Sequence, residues 1–190
     1  MMKGLIKSLF IVLLMLCFGS GCALIAHYGE YYGRVVDGET KEPLEGAAVL
    51  AVYKTQKPSP GGPVSFYLDA QETVTDKNGE FKIPSLTVTT FRMLHRFDAH
   101  PQFTIFKPEY GWYPWHKDVK PMFVPNGSLP AKTYVTIELP KLKTKEESIR
   151  NTDHHPLGVP DGKMRKLIEL NNIERTSLGF DPSHIQEKKK

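Results

Sequence analysis

The chain contains 190 residues, with 25 Lys and Arg against 21 Asp and Glu, and its formal net charge is +4. A charge this small excludes a protein whose main partner is nucleic acid, because such proteins carry a dominant positive field. The length suits one ordinary domain with an appendage and is too short for two full domains.

The first predicted element is an export signal. Lys3 and Lys7 precede the uncharged, mainly apolar stretch 8–18. That stretch is shorter than the roughly 18 to 20 residues that a helix needs to cross a bilayer. We therefore expect residues 1–21 to be a signal peptide that is processed, rather than a helix that spans the membrane.

Small residues at positions 19–21 stand directly before Cys22, and this arrangement resembles the bacterial lipobox. The resemblance covers four residues, and Gly19 occupies the position where the lipobox usually has leucine. It implies cleavage before Cys22 and attachment of acyl chains such as palmitate to this cysteine, where each buried methylene contributes about 0.8 kcal/mol to membrane binding. Cys17 fits less well because the bulky Leu16 precedes it.

The same resemblance implies a location. Ala23, rather than aspartate, follows the cysteine, which by bacterial sorting rules indicates an outer-membrane lipoprotein that faces the periplasm. The alternative is that Cys22 is an unmodified cysteine after an ordinary secretion signal. In both cases Cys17 leaves with the signal, so we expect no disulfide in the exported chain and stability that comes from apolar burial.

After a linker at 22–30, the region 31–143 is rich in β-branched and aromatic residues and is interrupted by Gly, Pro, Asp and Asn. This composition is typical of short strands joined by turns. Because no helical periodicity separates the strands, the pattern predicts an all-β sandwich or barrel. The predicted strands are 32–37, 47–53, 64–74, 81–84, 102–107 and 134–139.

The remaining residues, 144–190, form a polar C-terminal extension. Met164, Leu167, Ile168 and Ile173 fit one face of a short helix that begins near Asp161, a residue type that caps helices. We expect this helix to pack on the sandwich or to contact a partner. The tail from residue 183 onward is predicted to be disordered.

Three sequence segments occur in order: GRVVD at 33–37, TKEPLEGAAV at 40–49 and TDKNGEFKI at 75–83. Together with IFKPEYG at 105–111, they resemble the carboxypeptidase regulatory-like domain. The resemblance implies a seven-stranded prealbumin-like (transthyretin-like, Ig-like) β-sandwich. Members of that family are mainly structural modules beside enzymes, receptors and surface proteins, so the resemblance implies a domain without chemistry of its own.

The densest group of aromatic residues lies between positions 110 and 115. Tyr110, Trp112, Tyr113 and Trp115 could contact a sugar face or a protein partner if their rings are exposed. They could equally fill the core of a sandwich. Exposure of Trp112 and Trp115 on one face would favour a binding site, and burial of both would weaken it.

No pattern in the sequence indicates a catalytic, metal or cofactor site. There is no Gly-x-Ser-x-Gly, His-Glu-x-x-His or phosphate-binding glycine loop. Asp76, Asn78 and Glu80 fit a tight turn better than a calcium loop. The histidines with the most suggestive positions match no tight metal-ligand spacing: His95, His100, His116 and the pair His154-His155.

The sequence therefore predicts a non-enzymatic, lipid-anchored β-sandwich of the cell envelope that acts as a structural or protein-interaction module. Its expected partners are the membrane, through the N-terminal lipid, and an envelope protein or a glycan. The alternative is a carbohydrate-binding envelope protein that uses the aromatic residues between Tyr110 and Trp115.

Overall fold

The computed structural model describes residues 25–92, 94–119, 127–152, 154 and 156–182. The predicted signal peptide, Cys22, His155 and the predicted tail lie outside the described residues. The described strands are β1 Ile25–Tyr28, β2 Tyr31–Asp37, β3 Ala48–Lys57, β4 Val64–Val74, β5 Glu80–Ile83, β6 Leu86–Thr89, β7 Arg96–Phe97, β8 Gln102–Phe106 and β9 Tyr134–Leu139. The helices are α1 Lys145–Asn151 and α2 Arg165–Ser177, with a 3-10 turn at Asp161–Lys163.

Seven of these strands form two sheets. The first sheet has the order β5-β2-β9, in which β2 is antiparallel to β5 and parallel to β9. In the second sheet, β3 pairs with β4 on one side and with both β7 and β8 on the other, all antiparallel. The remaining strands, β1 and β6, form a two-stranded antiparallel ribbon, so part of the predicted linker at 22–30 is a strand.

The two sheets pack face to face, because their inward side chains form one buried cluster. Alternate residues of each strand point into this core, as expected for strands with one solvent-facing side. The all-β sandwich predicted from the sequence is confirmed. The core includes Val35, Phe81, Ile83, Val135, Ile137 and Leu139 from the first sheet and Val49, Ala51, Tyr53, Phe103 and Ile105 from the second.

A second core lies on the outer face of β3, where α2 covers the second sheet. Leu50 and Val52 of β3 pack with Met164, Leu167 and Ile168, and all five side chains are buried. The predicted C-terminal helix is therefore confirmed as an element that packs on the sandwich. β3 is apolar along most of its length because sheet covers one face and helix the other.

The start of α2 is held by a side chain from the sheet. The Glu72 carboxylate on β4 accepts hydrogen bonds from the backbone N–H groups of Lys166, at 2.9 Å, and Leu167, at 2.8 Å. These are among the N–H groups that have no partner inside a helix. Ile173, which was expected on the buried face, is 52% exposed. None of the helices among the described residues is long and apolar enough to cross a membrane.

The turn between β4 and β5 has the structure that its sequence predicts. Asp76 Oδ1 accepts the backbone N–H groups of Asn78 and Glu80, both at 2.8 Å. Gly79 has a φ of +73°, and a Cβ at this position would lie 2.4 Å from the Val35 carbonyl oxygen. The acidic and amide side chains of this segment thus have a turn-forming role.

Candidate functional site

The aromatic residues between Tyr110 and Trp115 follow β8 and extend the second sheet. The backbones of Tyr113 and Ile105 exchange hydrogen bonds of 3.0 and 3.2 Å. Tyr110, Trp112 and Tyr113 are buried, whereas Trp115 is 40% exposed. The structure therefore leaves one of the four predicted contact residues accessible.

The three buried rings have specific packing partners. Trp112 belongs to the second core, where it stacks on Phe106 with ring centroids 4.1 Å apart and an interplanar angle of 17°. Tyr113 belongs to the core between the sheets, since neighbouring residues of an extended segment point to opposite faces. The Tyr110 hydroxyl donates a hydrogen bond of 3.0 Å to Asp37 Oδ2. These contacts give the three rings a role in the architecture.

Trp115 lines a groove of about 300 Å³ on the molecular surface. Its ring stacks on His154, with centroids 6.0 Å apart and planes 18° from parallel. Leu157 on the rim of the groove is 90% exposed. A flat ring beside apolar walls and hydrogen-bonding groups suits a small amphipathic ligand. The other lining residues are Val52, Lys54, Gln102, Thr104, Pro156 and Val159.

A larger cleft, of about 790 Å³, lies between the ends of β2 and β9 and the helix α1. Its lining is strongly polar, but its charges neutralise one another in pairs. The Nζ–carboxylate distances are 2.8 Å for Lys41 and Glu138, 2.6 Å for Lys143 and Glu39, and 3.1 Å for Lys117 and Glu147. The cleft therefore has no strong preference for an anion or a cation.

Beside this cleft, the structure brings together His116, Asp118 and Glu147. One potential ligand atom from each residue lies within 4.8 Å of the others. From the sequence, His116 was a candidate only as one of several histidines, because nothing local links it to an acid 31 residues later in the chain. His95, one of those other histidines, is instead bonded to Thr55, with 3.0 Å between Nδ1 and Oγ1.

The polar atoms of this cluster already have protein partners. Glu147 Oε2 accepts the Lys143 backbone N–H at 3.0 Å, and Oε1 forms the ion pair with Lys117. These two interactions, in that order, lower the pKa of Glu147. His116 Nδ1 accepts the backbone N–H of Asp118 at 3.3 Å. The ion pair between Lys117 and Glu147 connects α1 with the segment after Trp115.

Three further acidic side chains bind backbone N–H groups; Asp37 and Glu174 are buried, and Glu72 is half-buried. Glu72 holds the start of α2, and Glu174 accepts the N–H of Glu109 at 2.9 Å. Burial raises the pKa of both carboxyls, although their N–H donors act in the opposite direction. Burial also acts to raise the pKa of Asp37, but hydrogen bonds from two backbone N–H groups and the Tyr110 hydroxyl lower it overall. Sequence patterns did not reveal the roles of Glu72 and Glu174, because their N–H partners are distant in the chain.

Comparison with known proteins identifies no family. No family model matches the chain, and no curated protein matches it significantly. The region that is similar to a streptococcal ancillary pilin covers 61% of this chain and 30% of the pilin chain, with 13% identity and a TM-score of 0.29. The region that is similar to a 9R-lipoxygenase from Cyanothece PCC8801 covers 68% of this chain and 18% of the lipoxygenase chain, with 14% identity and a TM-score of 0.24. The chain thus spans less than a third of either structure, and similarity at this level carries no functional argument.

Proposed function

We propose that this chain is a non-enzymatic, lipid-anchored protein of the bacterial cell envelope, whose sandwich is a structural or protein-interaction module. The observation that carries the proposal is the order of residues at the N-terminus. Lys3 and Lys7, an apolar stretch and three small residues lead directly to Cys22. This order is typical of an export signal, and apart from Gly19 it resembles the lipobox. With Ala23 after the cysteine, the protein faces the periplasm from the outer membrane.

The position of the first strand supports anchoring close to the membrane. β1 begins at Ile25, three residues after Cys22. Three residues span at most about 11 Å even when fully extended. Acyl chains on Cys22 therefore hold the sandwich at the bilayer surface and leave little freedom for it to move away.

The roles of three acidic side chains with perturbed pKa values support a module without chemistry of its own. Asp37, Glu72 and Glu174 each accept backbone N–H groups that fix turns or helices. In an enzyme, strongly perturbed acids are expected to converge on a cleft that is open to a substrate. Here each of the three acids is used to connect elements of the fold.

We also propose that the sandwich is a carboxypeptidase regulatory-like module of the prealbumin-like type. The residues that resemble this family lie at positions in the structure that support the assignment. Residues 33–37 lie on β2, and residues 75–83 contain the Asp76 turn and all of β5. Gly46, in the second resembling segment, has a φ of +77°, which favours glycine at that position.

Acylation is tested by growing bacteria that express the full chain with an alkyne analogue of palmitate. We expect label on the wild-type protein and on Cys17→Ser, which is the matched control, and no label on Cys22→Ser. The reason is that Cys17 leaves with the signal whereas Cys22 carries the lipid. Absence of label from the wild-type protein, or label that persists in Cys22→Ser, would overturn the anchor.

A second candidate function is binding of a carbohydrate at the groove beside Trp115. It is favoured by the half-exposed ring of Trp115 and by the polar groups of Lys54, Gln102 and Thr104 along the same groove. Calorimetric titration with envelope glycans should then give saturable heat that Trp115→Ala abolishes. Tyr134→Ala, which removes a 51% exposed ring elsewhere, is the matched control. Equal binding by both variants would exclude the groove.

A further inference from the structure

The register of the strands defines two ends of the molecule. Ile25 of β1 lies opposite Thr89 of β6, and Arg34 of β2 lies opposite Glu80 of β5. The register is the same in both ladders, so β1 followed by β2 runs antiparallel to β5 followed by β6. Ile25 and Thr89 lie at one end of these paired segments. The turn at 76–79 lies at the other end, more than about 30 Å away at 3.3 Å per residue.

The tip of the β3-β4 hairpin lies at the same end as Ile25. The connection from β6 to β7 starts directly after Thr89 and contacts this hairpin at three points. His95 is bonded to Thr55 on β3 at 3.0 Å, and its ring lies 4.9 Å from that of Phe66 on β4. Arg92 Nη1 donates to the Tyr67 carbonyl oxygen at 3.3 Å. Ile25, the hairpin tip and this connection therefore lie at the same end of the molecule.

Large apolar side chains at this end point into solvent. Such a concentration of exposed apolar residues in one region of a protein marks an interaction surface. Leu94 also has a φ of +64°, a left-handed conformation that is unfavourable for leucine. The exposed side chains are Ile25 (63%), Val64 (46%), Phe66 (38%), Phe91 (84%) and Leu94 (69%).

The same end carries positive charge. Segments 54–68 and 84–97 contain four Lys and Arg residues and no Asp or Glu; of the two acids that directly follow them, Asp69 is paired with Lys163 and Asp98 is half-buried. At the opposite end, segments 38–45 and 76–80 contain five acidic residues and two lysines, and Lys143 from another segment pairs with Glu39. A surface of apolar and basic side chains complements a bilayer with anionic headgroups, whereas the opposite end, with its paired charges, offers no such attraction.

We propose that this end, the docking face, inserts its apolar side chains into the headgroup region of an anionic lipid bilayer. The docking face comprises Ile25, Val64, Phe66, Phe91 and Leu94 with the basic residues Lys57, Arg92 and Arg96. The inference rests on the proposed lipid anchor, because Cys22 lies three residues before Ile25. Two membrane contacts, acyl chains and an apolar face, fix the orientation of the sandwich, with side chains reaching about 5–10 Å into the interface.

The experiment places a fluorescent label at each end of the full chain. Leu94→Cys and Lys77→Cys proteins are purified from bacterial membranes, labelled with a polarity-sensitive dye and reconstituted into vesicles of phosphatidylethanolamine and phosphatidylglycerol. Acylated Cys22 has no free thiol, so the dye reacts only with the introduced cysteine. Leu94 and Lys77 are exposed, so the substitutions leave the folding undisturbed. We expect a blue shift and quenching by spin-labelled lipids for the dye at Leu94→Cys, and neither effect at Lys77→Cys.

The charge of the face is tested in the same assay. Adding Lys57→Glu and Arg96→Glu to the Leu94→Cys protein should reduce the quenching in vesicles with phosphatidylglycerol, and should have less effect in vesicles of phosphatidylcholine alone, because the attraction is to anionic headgroups. Equal quenching in all cases would contradict the electrostatic part of the proposal.

Vesicle flotation separates the two proposals. If the protein floats with the vesicles but the dye at Leu94→Cys responds like the dye at Lys77→Cys, the docking face is refuted and the anchor stands. If the protein does not float, the anchor on Cys22 fails and the docking face fails with it.

Discussion

Replacing Trp112 by alanine should remove one of the main contacts of the second core. The ring is fully buried and stacks on Phe106 at 4.1 Å. Its backbone N–H donates to Asn151 Oδ1 at 3.3 Å, and Asn151 Nδ2 donates to the Tyr110 carbonyl oxygen at 3.0 Å. Trp112 therefore connects its own segment with α1 and with the outer face of the sandwich.

The expected loss follows from complete burial. Truncation of a buried tryptophan to alanine costs about 3–5 kcal/mol, because transfer free energy is lost and a cavity remains. For a chain of this size each kcal/mol lowers the melting temperature by about 2–4 °C, so Trp112→Ala should lower it by about 6–20 °C. Trp112→Phe should cost much less, since it keeps a stacking ring and removes an indole N–H that has no acceptor among the described residues.

The assay is urea and thermal unfolding of the purified chain, followed by far-ultraviolet circular dichroism so that loss of a tryptophan does not alter the signal. Trp115→Ala is the matched control, and because its ring is 40% exposed it should lose about 1 kcal/mol or less. Equal small losses for Trp112→Ala and Trp115→Ala would refute the assignment of Trp112 to a core.

Three further predictions use the same unfolding measurement. Gly33→Ala should cost about 1–3 kcal/mol, because its Cβ would lie 2.2 Å from a carbonyl oxygen of β9. Gly61→Ala, which has open space around it, should change stability by less than about 0.5 kcal/mol; a similar loss for both would contradict the close approach of β2 and β9. Glu72→Ala should cost about 1–3 kcal/mol, since two N–H groups at the start of α2 lose their acceptor, and Glu72→Gln should cost less; no loss in the alanine variant would disprove this helix contact. Asp37 has a lowered pKa in the folded state, so it contributes stability above its unfolded pKa that disappears as the pH falls through the folded value. The stability difference between the wild-type protein and Asp37→Asn should therefore shrink below about pH 4. A difference that grows on acidification would contradict this prediction.

Much of the fold could be predicted from the sequence because its strands have simple patterns. The apolar run at 47–53 indicated a central strand, and β3 is buried on both faces. The alternation at 81–83 indicated a half-buried strand, and Phe81 and Ile83 of β5 are buried while Lys82 is exposed. These patterns are local, so each strand can be recognised from the residues of its own segment.

The elements that were not predicted depend on distant partners. α1 has only seven residues, too few for a clear apolar period, and it is held by contacts such as that between Asn151 and Tyr110. The ribbon of β1 and β6 joins residues about 60 positions apart in the chain. Glu72 binds the start of α2 across 94 residues. No local pattern encodes these contacts.

The candidate site shows the same limit. The aromatic residues between Tyr110 and Trp115 were recognised, but aromatic side chains serve cores and binding faces alike, so composition could not separate buried Trp112 from exposed Trp115. The apolar docking face was missed because Val64 and Phe66 lie on β4 and Phe91 and Leu94 lie after β6, and only contacts such as those of His95 with Thr55 and Phe66 bring these two segments together.

Mass spectrometry of the N-terminal peptide, from protein isolated out of bacterial membranes, decides whether the sandwich is tethered by lipid. We expect the mature chain to begin at Cys22 and this residue to carry a diacylglyceryl group and an amide-linked acyl chain. A peptide that begins at any other residue, or that contains an unmodified Cys22, would contradict the tether.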